Sequence, residues 1–474
     1  MKNDKILIKN AKSIITCDSN DSILKDADIL IEGPQIKAIG KNINSSNTHV
    51  INAENMFVYP GLINTHHHFF QAFVRNNPGL DFVNMDVIQW LDIVYKLFVL
   101  IDEDSIYHTT MIGMADLLKH GCTTAFDHQY CFTSHAGPNL IDRQMEVAEK
   151  LGIRFHAGRG TNTLPASEGS VIPDKMRETT DVFLTDCNRV VEKYHNYDKF
   201  AMKRIVIAPC NVSQSTKDTF VEALKLARQK NIFLHTHLGE GENRLMLERY
   251  GCRSLNWCED IGFIGPDVWF AHGWEFTNEE IDILAKTNTG LSHCPAPVVL
   301  GHFDVIDIPR MMAKGVRLGL GVDGYASNDG GNMLELPRLT YQLQNLSSDK
   351  RNYHIPTAYE CLKFATSGGA KLLGRDDIGS LEVGKAADMF MIDVNKLEYL
   401  GALHCPESFL ARVGWSGPVS STMVNGKIVF ENGNLVGCEE SKEIEKASKC
   451  LSKLIYGSDI YKKYSNVLHD KHKR

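Results

Sequence analysis

The sequence predicts an α/β protein: a TIM-type (β/α)8 barrel joined to a small β-sandwich domain built from both chain ends. Three observations predict it. Short apolar runs alternate with longer helical stretches through the middle of the chain, the pattern of a parallel barrel. Short β-rich runs replace that pattern at both ends. The length of 474 residues exceeds one ordinary domain, and barrels of this type use about 250 residues or more as a single unit. The expected division is 1–58 and 372–440 for the β-sandwich, 59–371 for the barrel and 441–474 for a helical tail.

The first part of the β-sandwich is expected from Ile6-Leu7-Ile8, Ser13-Ile14-Ile15-Thr16 and Asp28-Ile29-Leu30-Ile31, with Gly33-Pro34 as a turn. The second part starts at Asp388-Met389-Phe390-Met391-Ile392-Asp393. It continues as Thr422-Met423-Val424, the turn Asn425-Gly426 and Lys427-Ile428-Val429-Phe430. An Asn-Gly pair between two such runs is a strong hairpin signal. Eight strands are expected between these parts, ending near His66, Asp127, His156, Ala208, His237, His272, His293 and Asp323. All but the fourth end in His or Asp. Barrel active sites lie at the C-terminal strand ends, so ionisable groups gathered there predict a site. The tail from Ser441 to Arg474 reads as an amphipathic helix docked on the barrel or on a second subunit.

Composition narrows the function classes. Hydrophobic residues at 43% and charged residues at 23% are typical of a globular protein with a sizeable core. A net charge of -7 gives no electrostatic footprint for nucleic acid. The longest apolar run, Ile93 to Ile101, is interrupted by Lys96 and is too short to span a bilayer. Twelve cysteines without a CxxC pair, and no stretch that reads as a secretory leader, point to free thiols in a reducing cytoplasm. The expected partner is a small molecule, with neither nucleic acid nor membrane.

The stretch Pro60-Gly61-Leu62-Ile63-Asn64-Thr65-His66-His67-His68 reads as a buried strand running into imidazoles. Residues i and i+2 of an extended chain share a face, so His66 and His68 can turn to one ion while His67 points away. Taken alone, the motif also reads as a His-rich turn. Strand five, Ile232-Phe233-Leu234-His235-Thr236-His237-Leu238-Gly239-Glu240, places His237 at a strand end and Glu240 just beyond it. His235 shares that alternation and is either a ligand or a core histidine; the core reading is favoured because the other ligands nearly fill a site. Strand six ends in His272. Strand eight, Leu318-Gly319-Leu320-Gly321-Val322-Asp323, ends a glycine-rich buried run in a carboxylate that must be paired or metal-bound. Asp323 alone reads equally well as a helix N-cap. On one rim with His66, His68, His237 and His272, the functional reading prevails.

Six segments, PGLINTHHH, LHTHLGE, WFAHG, SHCP, LGLGVDG and ATSGGAKLLGRDDIGSLEVGKAAD, spread over nearly the whole chain. By these the sequence resembles the amidohydrolase superfamily, in the cytosine deaminase-like branch that includes triazine hydrolases and purine or pterin deaminases. The resemblance implies a metal held by His66, His68, His237 and Asp323, catalytic roles for Glu240, His272 and Asp323, and a homo-oligomer. Relatives with two metals bridge them with a modified lysine at the end of strand four. Here that strand reads Ile205-Val206-Ile207-Ala208-Pro209-Cys210, so one divalent ion is expected, Zn2+ ahead of Fe2+. The HxE and PCxxC pattern of the unrelated zinc nucleobase deaminases is missing. The implied reaction is hydrolytic deamination of an aromatic N-heterocycle. The ion acidifies water, Asp323 takes the proton and passes it to the leaving ammonia, Glu240 protonates a ring nitrogen, and His272 hydrogen-bonds the attacking oxygen.

For the substrate, Phe69, Phe70 and Phe73 with Gln71 offer aromatic faces and one amide beside the metal, with at least one phenylalanine expected in the core. Arg159, in Gly158-Arg159-Gly160, reads either as a ligand for a ring oxygen or as an ion-pair partner. HHHFFQ, FDH, the Arg159 segment and GVDGYASND most resemble 8-oxoguanine deaminases and isoxanthopterin-deaminating relatives. Their resemblance implies an oxidised purine or pterin, bound by Gln71, Arg159 and His272. Those enzymes usually continue strand seven with small polar residues and an asparagine, whereas this chain has Ala296-Pro297-Val298-Val299, which leaves the exact ring open. A triazine amino- or chlorohydrolase is the alternative, and a catalytically silent scaffold the remote one.

Overall fold

The computed structural model describes residues 5–44, 46–76, 85, 87–347, 352–459 and 461–463. Eight parallel strands close into a barrel: Leu62–Asn64, Cys122–Gln129, Arg154–Thr161, Lys203–Pro209, Leu234–Leu238, Val268–His272, Gly290–His293 and Arg317–Leu320. Almost every residue of these strands is buried, because the interior is filled with side chains and helices cover the outside. The barrel closes where Leu320 pairs with Asn64. Just above that seam, His67–His68 pairs in parallel with Asp323–Gly324. The seam therefore brings the first and last strand ends of the sequence into lateral contact.

The small domain is one nine-stranded mixed sheet. Its strand Met56–Pro60 pairs with Lys5–Ile15 on one side and Met389–Asp393 on the other, so the two chain ends meet across it. Gly61 then leads directly into the first barrel strand. Ile8, Ile14, Ile29, Val58, Met389 and Met391 form part of a core separate from that of the barrel. Asn425 and Gly426 take φ of 52° and 75° between Ser421–Val424 and Lys427–Glu431, as a primed two-residue hairpin requires.

The segment from Ala365 to Asp388 floors the barrel. Ala370 and Leu372 of the helix Gly369–Leu372 pack with Ile63, Phe126 and Trp269 in the barrel's lower core. Strand three differs from expectation. It runs on to Thr161, so His156 lies near its start, at the floor, with Nε2 3.3 Å from an Arg375 nitrogen. The tail forms a helix, Glu440–Leu451, tied to the barrel by Lys119–Glu440 and Lys150–Glu443. Its expected charged end from 464 onward lies outside the described residues. Among the described residues, no helix is long and apolar enough to cross a membrane.

Arg154 joins the two sheets. Its guanidinium donates to both oxygens of Asp388 at 3.0–3.2 Å, and both side chains are buried. Arg154→Met strands that carboxylate, and the expected loss is about 3–5 kcal/mol of unfolding free energy in denaturant titrations. Removing the exposed Lys449–Glu445 pair is expected to cost under about 1 kcal/mol in the same assay.

Candidate active site

The strand alternation decides which side chains reach the mouth of the barrel. His66 and His68 flank His67, whose Nδ1 accepts from the His68 amide at 2.8 Å and whose ring packs on Phe69 and Tyr325. His66 and His68 face His237 and Asp323. His68 Nε2 lies 3.0 Å from His237 Nε2, and Asp323 Oδ1 lies 3.2 Å from His66 Nε2 and 3.3 Å from His68 Nε2.

The hydrogen bonds behind these rings orient each one. His68 Nδ1 meets the His128 carbonyl at 2.9 Å and His237 Nδ1 meets the Cys210 carbonyl at 2.7 Å. A carbonyl only accepts, so each Nδ1 carries the proton and each Nε2 keeps its lone pair. His66 reaches the same state through a relay. His235 Nδ1 donates to the Trp269 carbonyl at 2.9 Å, so His235 Nε2 accepts from His66 Nδ1 at 2.9 Å and leaves the His66 Nε2 lone pair open. His235 is thus the core histidine behind a ligand. Burial lowers the His66 pKa to about 3 and holds His237 well below its usual value, keeping both imidazoles neutral.

Ring nitrogens of His66, His68 and His237 lie within 4.8 Å of one another, and Asp323 Oδ1 lies against those of His66 and His68. The His66 Nε2 has no hydrogen-bond partner of proper geometry although it is fully buried. Neutral imidazole nitrogens with one carboxylate suit a divalent ion such as Zn2+, whose tetrahedral ligands at about 2.0–2.1 Å stand roughly 3.3 Å apart. The observed separations of 3.0–3.3 Å fit that donor set.

His272 and Glu240 stand beside this cluster. The His272 ring stacks on His237 at 5.4 Å between centroids, and its Nε2 lies 3.4 Å from Glu240 Oε1. Burial lowers the His272 pKa to about 3, and among the described residues neither ring nitrogen has a hydrogen-bond partner. Glu240, whose side chain stays partly exposed, is pushed well above the usual carboxylate range by desolvation and by the charges of Asp323, Glu242 and Glu275. The buried Glu242 clamps the backbone that carries it, accepting from the Gly239 amide at 2.7 Å and from the Glu240 amide at 2.8 Å. Burial opposes the charge of the Asp323 carboxylate, whose Oδ1 faces the ring nitrogens of His66 and His68. Ser327 donates to Asp323 Oδ2 at 2.7 Å, which fixes the carboxylate with Oδ1 toward the histidines.

Gln71 lines the cavity over these groups, but Arg159 does not. Along strand three, Gly158 and Gly160 face inward, so the alternation turns Arg159 outward. Its guanidinium is held by Glu178 and Asp186 at 2.7–2.8 Å and stacks on Phe132, which leaves it nothing to offer a substrate. The same parity turns Asp127 outward to the Phe69 amide and Gln144, while His128 points in. Phe69, Phe70 and Phe73 all pack in the main core. The aromatic wall comes instead from Trp90, Tyr95, Tyr130, Trp274 and Phe303, with Val87, Leu91 and Pro297. The only sequence signal for Trp90 and Tyr95 was the apolar face of a helix far from any motif. Pro297 belongs to the strand-seven loop that departs from the purine and pterin pattern.

A family model described as the Amidohydrolase family matches residues 57–429. The chain is 50% identical over 457 residues to hydroxydechloroatrazine ethylaminohydrolase of Pseudomonas sp. (strain ADP), covering 94% of this chain and 95% of that one. It is 34% identical to 8-oxoguanine deaminase of Pseudomonas aeruginosa, covering 84% and 88%. Among solved structures, atrazine chlorohydrolase TrzN from Arthrobacter aurescens TC1 complexed with zinc superposes with a TM-score of 0.89 at 31% identity, covering 94% of this chain and 100% of that chain.

Among the described residues, His235 is absent from the lining of the cavity over these groups and meets it through His66. His235→Leu is expected to weaken Zn2+ binding about 10–100-fold in a chelator competition with little change in melting temperature. An unchanged affinity would show that the His66 ring needs no such support.

Proposed function

The chain belongs to the amidohydrolase family, as an enzyme acting on C–N bonds, and from that premise we propose that it removes an amino or N-alkylamino group from an oxygen-bearing s-triazine by hydrolysis. The observation that carries this reading is the 50% identity, over 94% of the chain, to an enzyme named as an ethylaminohydrolase of hydroxydechloroatrazine. It reverses the order expected from the sequence, where an oxidised purine or pterin came first and a triazine second. Two features of the cavity support the reversal. Arg159, the cation expected to hold a purine or pterin oxygen, is spent on Glu178 and Asp186. Val87, Trp90, Leu91, Trp274 and Pro297 offer an apolar wall where a bare amine needs none and an alkyl substituent is favoured.

In this reading His66, His68, His237 and Asp323 hold one divalent ion, proposed as Zn2+, with Fe2+ compatible with the same donors. When bound, the ion supplies a Lewis acid that brings the pKa of water toward neutrality. Asp323, fixed by Ser327, takes the proton of the water attacking the ring carbon and later hands it to the departing amine. Protonated Glu240 donates to the ring nitrogen next to that carbon, which makes the carbon electrophilic. Neutral His272 hydrogen-bonds the attacking oxygen as charge develops on it. The C–N bond then breaks as the amine takes the proton from Asp323, the hydroxyl proton of the intermediate returns to Glu240, and a ring carbonyl beside the protonated ring nitrogen remains. The aromatic wall keeps bulk water from the ring during these transfers.

The test compares ethylamine release from an N-ethylamino hydroxytriazine with ammonia release from 8-oxoguanine and isoxanthopterin. The triazine is expected to show at least a tenfold higher kcat/KM. Ammonia from either bicyclic ring, with no amine from the triazine, would sink the proposal in favour of the purine or pterin reading. Glu240→Gln, which keeps the shape and loses the transferable proton, is expected to lower kcat by about 10²–10⁴ with metal content unchanged.

A further inference from the structure

Two buried carboxamides meet the cavity with their oxygens tied and their nitrogens open. Gln71 is 2% exposed and Asn211 is 7% exposed, and both line the cavity with His68, His237 and Asp323. Gln71 Oε1 accepts from the Ala326 amide at 3.0 Å, and Asn211 Oδ1 accepts from the Ser213 amide and hydroxyl at 2.8 Å each. A backbone N–H only donates, so neither carboxamide can be turned over and each presents its NH2 group away from that bond. Among the described residues, neither Gln71 Nε2 nor Asn211 Nδ2 meets an acceptor.

Position strengthens the case for Asn211. It pairs in register with His237, and the carbonyl of the preceding Cys210 is the one that orients His237. Its open NH2 group therefore lies one residue from the support of a proposed metal ligand. Gln71 is seated just as firmly, since a Cβ at Gly324 would collide with its carboxamide. Neither NH2 group is sealed from solvent, so an acceptor carried by a ligand would take the place of water at each of them. Among the described residues, no Lys or Arg lines the cavity. Neutral donors of this kind suit the oxygen of a ring lactam.

Resting on the triazine reading above, we propose that Asn211 is a substrate-binding, specificity-determining residue whose Nδ2 donates to a ring oxygen of an oxo- or hydroxy-substituted heterocycle, with Gln71 Nε2 as the second donor. Asn211→Asp keeps an oxygen for both Ser213 bonds and turns the open position from donor to acceptor. Asn211→Leu removes it altogether. The probe is cyanuric acid, an s-triazine with three oxo groups and no leaving amine, bound to the metal-loaded protein and followed by calorimetry. Both variants are expected to keep wild-type metal content, to bind cyanuric acid at least tenfold more weakly, and to raise KM for the hydroxytriazine at least tenfold with kcat changed only a few-fold. Melamine, which has no ring oxygen, is expected to bind wild type and Asn211→Leu alike.

Wild-type affinity for cyanuric acid in Asn211→Asp overturns the proposal, as does a wild type that binds no oxo ring. An equal loss for melamine overturns oxygen as the acceptor. Failure of the underlying function would show differently, as wild-type protein that binds oxo rings through Asn211 yet releases no amine from the triazine.

Discussion

The site depends on the hydrogen bond from His235 to the Trp269 carbonyl. That one bond sets the tautomer of His235, which sets the tautomer of His66, and so decides whether the buried His66 Nε2 presents a lone pair or a proton. The Cys210 and His128 carbonyls do the same for His237 and His68 without an intermediary. Ring nitrogens of His66, His68 and His237 then gather beside the Asp323 carboxylate. Such an arrangement is self-repelling without a cation, and burial denies it the relief of water. The barrel can hold it because the groups that enforce it are backbone carbonyls of its own strands, which move only if the sheet moves.

Closure of the barrel explains how ligands far apart in sequence come together. Strand one and strand eight are neighbours only because the sheet curls, and the pairing of His67–His68 with Asp323–Gly324 extends that seam beyond the barrel. The floor makes the seam rigid from below. The segment 365–388 fills the lower core, and Arg154 ties strand three to Asp388 at the start of the second half of the small sheet. The tail motif so prominent in the sequence is therefore structural, acting on the site only through the barrel it closes.

The sequence made the histidine-rich rim legible and left the cavity wall obscure, for one physical reason. His66, His68, His237, His272 and Asp323 each stand at or just past a strand end, where apolar runs stop and position follows from local pattern alone. Arg159 and Asp127 failed because a side chain's face depends on strict alternation, and a strand end misplaced by one residue inverts it. Strand three shows the cause: it runs five residues past His156, so the apparent end lay at the floor. Trp90 and Tyr95 reach the cavity from a helix whose apolar periodicity says only that one face is buried, not against what. Pro297 was visible as a departure from a pattern, though its consequence, an apolar wall, needed the fold.

Backbone strain marks where the site was built at a cost. His272 and Asp323 have φ of 82° and 63°, the left-handed region in which a side chain other than glycine costs about 1–3 kcal/mol. Both turn a side chain back over the mouth of the barrel at the point where a strand would carry it away. Each is held by its neighbours: the Gly273 amide donates to the Leu238 carbonyl at 2.9 Å, and the Asp323 amide to the His66 carbonyl at 3.1 Å. Glu240 is held differently, by Glu242 on its own turn and by Glu275 on the next loop, which accepts from the Gly241 amide at 3.0 Å. Glu240 is thus mounted on side-chain clamps and the histidine cluster on the sheet. Changes to the loops that carry Trp274 and Pro297 can then reshape the ring pocket without disturbing the ligand set. Strand four is the exception, because Cys210 supports His237 while Asn211, the next residue, meets the cavity.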